Sequence, residues 1–243
     1  MSTPKSDGAI VIFATIVCVI CSMMLSVTAS TLKTKQDYNV ELDRKLNVLK
    51  AFGEPTVDEN GKTIPGSKVD EIFHTQIHEI VLDGESGTVL EGKTSADFSA
   101  GDIADRKVLL LYVWEEDGQA KKYAFPISGK GLWSTIYGYL ALDKDLATIV
   151  GVTFYRHGET PGLGGEVSAD WFQAQFKGKK VYEGGNRLKF EVVKGLVADR
   201  YPNGNNHAVD GMSGATITGK GVSHFINADL DKYEKYFSLK RST

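Results

Sequence analysis

The sequence predicts an α+β protein: a single N-terminal transmembrane helix followed by a mixed α+β domain. Three observations carry that expectation. Gly8 to Leu32 holds no charged residue, and Ala9 to Leu25 is dominated by Ile, Val, Leu, Met, Phe, Ala and Cys. The middle of the chain alternates short β-rich runs with turn residues. A helical pattern closes the chain, while few segments read as the helical crossovers a parallel sheet needs.

Taken in order, the apolar segment comes first. At about 1.5 Å rise per residue, ~20 apolar residues cross a ~30 Å hydrocarbon core. A cleaved signal peptide is the rival reading, with Val27-Thr28-Ala29 as a small-residue cleavage site. The apolar run is long for that, and the helical pattern continues beyond it, so a retained anchor over residues 1–32 is expected. Tyr38, Leu42, Leu46 and Leu49 then recur at helical spacing. With Gly53, Pro55, Gly61, Pro65 and Gly66 after them, residues 33–68 read as a juxtamembrane helix and linker, and residues 69–243 as the main domain. In that domain, Val108–Trp114, the turn Glu116-Asp117-Gly118 and Lys121–Ile127 predict a β-hairpin. Ile136–Leu142 and Thr148–Tyr155 read as strands, and Ala169–Phe176 as a short helix with Trp171, Phe172 and Phe176 on its apolar face. Lys189–Val197 reads as a further strand, and Val222–Leu239 as a helix with a break at Asp229.

The composition is ordinary for a globular chain of 243 residues: 42% apolar, 10% aromatic, 24% charged, net charge −3. No basic excess points to nucleic acid. Both cysteines, Cys18 and Cys21, lie in the apolar segment, so no disulfide frames the domain. Cys-x-x-Cys on a helix puts both sulfurs near one face, as iron–sulfur ligation needs, but small apolar residues of a membrane helix carry thiols with no such role. His74 and His78 share a face whether their segment is helix or strand; no third ligand is evident and no metal is expected. Gly8 to Leu32 is uncharged, so the membrane segment holds no carboxylate for a sodium ion.

Three glycine-bearing stretches carry the chemistry: Gly129-Lys130-Gly131-Leu132-Trp133, then His157-Gly158-Glu159-Thr160-Pro161-Gly162-Leu163-Gly164-Gly165, then Asp210-Gly211-Met212-Ser213-Gly214-Ala215-Thr216-Ile217-Thr218. None has the spacing of a dinucleotide fingerprint or a phosphate-binding P-loop. Small residues let another molecule approach the backbone, and N–H groups at a helix start favour a phosphate. Leu132 and Trp133 suit the flat apolar walls that an isoalloxazine wants, although a tight turn with Trp133 in the core would give the same residues. On an extended loop, Thr216 and Thr218 would point to opposite sides.

Together and in this order, over residues 129–225 and with the anchor, the three stretches resemble the C subunit of the sodium-translocating NADH:quinone oxidoreductase (Na+-NQR), a family that carries FMN covalently. The resemblance implies an FMN phosphoester on Thr218, the last Thr of Ser-Gly-Ala-Thr-x-Thr, made by a flavin transferase that reads Asp210-Gly211 and the following residues. It implies that Leu132, Trp133, Glu159, Thr160 and Leu163 surround the flavin, with Ser213, Gly214, Ala215 and Thr216 completing the attachment loop. It implies an electron-relay subunit in a complex that oxidises NADH, reduces ubiquinone and exports sodium, with the other subunits as partners. The place is the bacterial inner membrane, the C-terminal domain in the periplasm. Counting Lys5 on one side against Lys33 and Lys35 on the other slightly favours the opposite orientation; the family placement is preferred, because the bias is one residue and the transferase works outside the cytoplasm. The alternatives are the homologous G subunit of the Rnf complex, which shares the attachment motif, and a non-redox anchored interaction module.

Overall fold

A computed structural model describes residues 7–241; Lys5 and the first residues of the expected anchor lie outside them. The elements are α1 (Asp7–Ala51), α2 (Gly66–Gln76), β1 (Ile77–Asp83), α3 (Ala100–Ala104), β2 (Val108–Glu116), β3 (Gln119–Lys130), β4 (Thr135–Asp143), β5 (Ile149–Arg156), α4 (Asp170–Ala174), β6 (Tyr182–Glu183), β7 (Asn186–Arg187), β8 (Glu191–Val192), α5 (Val197–Arg200), β9 (Ala208–Val209) and α6 (Thr216–Arg241). The chain divides into two compact units, Met1–Arg44 and Lys45–Thr243.

In the first unit, the described part of α1 is long and apolar enough to cross a membrane, and its large apolar side chains, among them Phe13, Met23 and Leu25, are exposed. No other helix among the described residues meets that description. The helix does not stop at the apolar boundary: the residues read as a separate juxtamembrane helix continue it to Ala51.

In the second unit, the last turns of α1 bury Val48, Leu49 and Ala51. The helix ends where Gly53 turns left-handed (φ 79°). The Gly53 N–H donates to the Lys50 carbonyl and the Glu54 N–H to the Leu49 carbonyl, so two terminal acceptors are satisfied at once. Strands β1 to β5 form one antiparallel sheet in sequential order. The expected hairpin is β2–β3: Glu116 pairs with Gln119, leaving Asp117 and Gly118 as a two-residue turn, both at positive φ (52° and 72°). That is the turn whose twist matches the strands, and it explains Asp-Gly here. Ile136–Leu142 and most of Thr148–Tyr155 lie in β4 and β5 as expected.

β2 is buried along most of its length because both faces of the sheet are covered. Leu109, Leu111 and Val113 face the main core with Phe125, Phe154, Phe172, Phe176 and the α6 residues Val222, Phe225, Ile226 and Phe237. Tyr112 and Trp114 face the other way, against Phe73 of α2 and Phe52 after α1. Helix α6 lies on β3, and the approach is close: a Cβ at Gly129 would fall on the Phe225 side chain.

Four sequence expectations change. Residues 189–197 supply only the two-residue β8, which pairs in parallel with β9. The short helix spans Asp170–Ala174; it buries Phe172 and leaves Trp171 outside, bonded through its indole N–H to Glu166 at 3.0 Å. His74 ends on α2 and His78 on β1, so no common face joins them. Helix α6 is unbroken at Asp229. That residue is 1% exposed because it is an ion-pair anchor, its Oδ2 accepting from Arg106 at 3.0 Å and from the Ser128 N–H at 2.8 Å.

A buried carboxylate held this way costs more to orphan than to keep. Asp229→Ala removes the counter-charge of Arg106, which among the described residues keeps only Ser128 Oγ, and leaves the Ser128 N–H without its acceptor; it is expected to destabilise the domain by about 3–5 kcal/mol. Urea unfolding of the two proteins measures it; a loss within surface-mutation noise would show the pair to be incidental.

Candidate functional site

The three glycine-bearing stretches, far apart in sequence, meet at one carboxylate. The turn between β3 and β4 is closed by the Gly131 N–H donating to the Ser134 carbonyl at 2.8 Å, which leaves three successive N–H groups pointing inward. Glu159, three residues past the end of β5, receives all of them. Its Oε1 accepts from Trp133 at 2.9 Å and Ser134 at 3.1 Å, and its Oε2 from Leu132 at 3.1 Å. The fourth donor is the hydroxyl of Thr218, 2.7 Å from Oε2. Glu159 is 5% exposed and Thr218 1%.

Glycine is needed twice for this packing. A Cβ at Gly131 would stand 2.7 Å from Glu159 Oε1, and one at Gly164 would stand 2.6 Å from Thr218 Oγ1 and 2.7 Å from Glu159 Oε2. The Glu159 loop is tied at both ends. The Gly158 N–H donates to Ser134 Oγ at 2.6 Å, and the Thr160 carbonyl accepts from Leu163 and Gly165.

Burial pushes the Glu159 carboxyl up. The Thr218 hydroxyl and the Trp133, Ser134 and Leu132 N–H groups outweigh it, and the net pKa lies below the ordinary 4.5. The site therefore holds a carboxylate at neutral pH, oriented by four donors, against an alcohol that faces it.

Above this polar floor the surroundings are apolar and open. Leu132 is 39% exposed, Trp133 71% and Leu163 44%, and Ile217 is also exposed. The stretch is the tight turn leading a strand that the alternative reading described, but Trp133 is not in the core. Of the other predicted residues, Thr160, Ser213 and Gly214 are exposed, Thr216 is half-buried and Ala215 is buried. Asp210 accepts through Oδ1 from the Val197 N–H at 2.6 Å, so its carboxylate tethers the start of α5 to the third stretch. The sequence reading put Thr216 and Thr218 on an extended loop; the structure does not. Both lie in the first turn of α6, where two residues are separated by about 200° of helical rotation. That still sends Thr218 inward, for a different reason.

The FMN-binding domain family matches residues 131–231, which hold all of this geometry except Lys130 and the residues before it. Over 224 aligned residues the chain is 35% identical to the C subunit of the Na(+)-translocating NADH-quinone reductase of Vibrio alginolyticus, covering 84% of this chain and 83% of that protein. The chain belongs to this C-subunit family. The C subunit of Pseudomonas aeruginosa is 34% identical over 254 residues, covering 96% of this chain and 94% of its own. Two solved C-subunit structures share the fold. That of Parabacteroides distasonis has a TM-score of 0.70 at 30% identity and covers 85% of this chain and 96% of its own. That of Shewanella oneidensis has a TM-score of 0.68 at 28% identity, covering 83% and 97%.

Two features of this C-subunit fold were not read from the sequence. Ser134 gives both its N–H and its hydroxyl to the Glu159 loop; a lone Ser after a Gly-Leu-Trp run carries no signal for that. A cleft of about 530 Å³ lies along α6, lined by Lys189, Arg200, His207, Lys220 and His224 among others. Thr218 does not line it, and the charges come from separate loops, so no local pattern announces them.

The pH dependence of stability follows from the depressed Glu159 pKa. A carboxyl whose folded pKa lies below its unfolded one stabilises above the unfolded value and loses that contribution as pH falls through the folded value. The stability gap between wild type and Glu159→Gln is therefore expected to be full above pH 4.5 and to shrink below it. Chemical denaturation at neutral pH and at about pH 3 checks this; an unchanged gap would mean that Glu159 is not held as the anion.

Proposed function

We propose that this protein is the flavin-bearing electron-relay subunit of a sodium-translocating NADH:quinone reductase, with FMN esterified through its phosphate to Thr218. One observation carries the attachment site: of the three hydroxyls in the motif, only that of Thr218 is drawn into the polar floor where the three glycine-bearing stretches meet. The residues fit the group. Leu132, Trp133 and Leu163 give exposed apolar surface next to that floor, and glycines keep the backbone close. The first turn of a 26-residue helix places N–H groups and the positive end of its dipole beside Thr218.

Bound FMN supplies a group that accepts and returns electrons. The protein's own residues do the rest. Thr218 fixes the cofactor covalently, so that it is not lost to dissociation. Leu132, Trp133 and Leu163 wall the ring and limit water on it. Thr160, Ser213, Gly214, Ala215 and Thr216 shape the loops around the attachment point. The flavin transferase acts before the subunit works, and the other subunits of the complex donate and accept the electrons. We draw the domain boundaries as anchor to residue 32, helix and linker to 68 and FMN-binding domain beyond, with α1 running unbroken across the first of them. We place the anchor in the inner membrane and the domain in the periplasm, where the transferase works. Family membership favours this reading over the Rnf G subunit, since the matched relatives are named as C subunits of the sodium-translocating reductase.

Three outcomes test it. After co-expression with a flavin transferase, Thr218→Val is expected to carry no covalent FMN, whereas Thr216→Val retains it. Intact mass with peptide mapping decides, and a flavin mapped to Thr216 would move the attachment site. Trp133→Ala is expected to change stability by no more than ~0.5 kcal/mol, since its ring is exposed, while altering the fluorescence of the attached flavin. An unaltered spectrum in the folded variant would place Trp133 away from the ring. Reporter fusions after Lys35 are expected to be active only as periplasmic reporters; activity of a cytoplasmic reporter alone would reverse the orientation.

A further inference from the structure

Three successive N–H groups aimed at the two oxygens of one anion make an anion seat, a concavity of backbone dipoles that binds negative charge. In this protein the seat formed by Leu132, Trp133 and Ser134 is taken by the protein's own carboxylate, Glu159. The same oxygen, Oε2, touches both the seat (Leu132 N–H, 3.1 Å) and the Thr218 hydroxyl (2.7 Å). The seat and the hydroxyl therefore stand one oxygen atom apart. A phosphate esterified to Thr218 Oγ1 would have its non-bridging oxygens within reach of that same position.

Attachment removes the reason for the present arrangement. An ester oxygen has no proton, so the Thr218 donor is lost to Glu159. In its place comes a phosphodiester anion, and two like charges in contact in a site shielded from water repel strongly. There is no slack to separate them sideways, because Gly164 already lacks room for a Cβ against both Thr218 Oγ1 and Glu159 Oε2. The Glu159 loop, though tied at Gly158 and Thr160, lies at the surface, so a carboxylate released from the seat has water within reach. Gly158, Thr160, Pro161, Gly162 and Leu163 are exposed, and Gly162 is left-handed at φ 74°.

We propose that Glu159 is a placeholder: its carboxylate occupies, in the unmodified protein, the N–H seat that the phosphate takes once it is joined to Thr218, so that the two anions exchange one site. Until then the carboxylate holds the acceptor hydroxyl inward, and attachment requires it to let go. This rests on Thr218 being the attachment residue. The transfer forms the Oγ1–P bond and breaks the anhydride P–O bond of an activated flavin nucleotide. The departing phosphate half takes the bonding electron pair, and the hydroxyl proton passes to it or to water.

The test uses the full chain in detergent, isotopically labelled, with and without a co-expressed flavin transferase. Peptide mapping first establishes flavin on Thr218; its absence there overturns the attachment reading and this proposal together. In the loaded protein, the Leu132, Trp133 and Ser134 amide resonances are expected to shift together and to show through-hydrogen-bond coupling to phosphorus. The Glu159 side-chain carboxyl resonance is expected to move to the position of a solvated carboxylate. Flavin on Thr218 with no such coupling and an unmoved Glu159 resonance overturns the exchange alone. A second arm titrates inorganic phosphate into unmodified Glu159→Ala. Its three amides are expected to shift saturably while those of wild type do not, and a flat response from the folded variant counts against the seat. If that variant does not fold, the wild-type comparison decides by itself.

Discussion

Where the β3–β4 turn, the loop after β5 and the start of α6 come together, the Glu159 carboxylate is withdrawn from water and given four donors in exchange. Those donors offset the cost of desolvating the charge, and removing any of them leaves part of that cost uncompensated. That requirement fixes the neighbourhood. The turn must present its N–H groups inward, Gly131 and Gly164 must stay without side chains, and Thr218 must face the carboxylate. The apolar side chains of the same stretches are thereby turned outward, because the backbone that carries Leu132 and Trp133 is already committed to the interior.

The sheet and α6 make this meeting possible. β3 and β4 are consecutive antiparallel strands, so their connecting turn sits at the edge of the core and not within it. Helix α6 lies on β3 at a distance only glycine permits at position 129. Its inward stripe, Val222, Phe225, Ile226 and Asp229, locks its rotation. Once Asp229 is bonded to Arg106 and Ser128, the rotation that puts Asp229 inward also sets the direction of Thr218, about three helical turns earlier. Core packing and the direction of the Thr218 hydroxyl are thus set by one helix in one register.

Long-range strand order needed little beyond local pattern. The Asp-Gly turn demanded left-handed backbone and received it, and the β-rich runs of β4 and β5 formed where alternation and β-branching indicated. Local pattern failed where the outcome depended on partners. Residues 189–197 have strand-like composition, yet only two of them pair, because their partner β9 is two residues long. Asp229 looked like a helix break; it is a helix interior residue, since its charge is met by Arg106 from more than a hundred residues away.

The sequence by itself determined the apolar helix, the hairpin, the α+β class and the family, since these rest on composition, local turn chemistry and motifs read in order. It also named Glu159, Thr218 and their glycine-rich neighbours as belonging together, through resemblance. What only the tertiary structure decided is who touches whom: that Glu159 is bound by the N–H groups of residues 132–134, that Thr218 is its fourth donor, and that Trp133 lies outside the core. The physical reason is that a backbone N–H belongs to every residue but proline and leaves no mark in the sequence. Its direction is set by a turn, and the turn by the strands on either side.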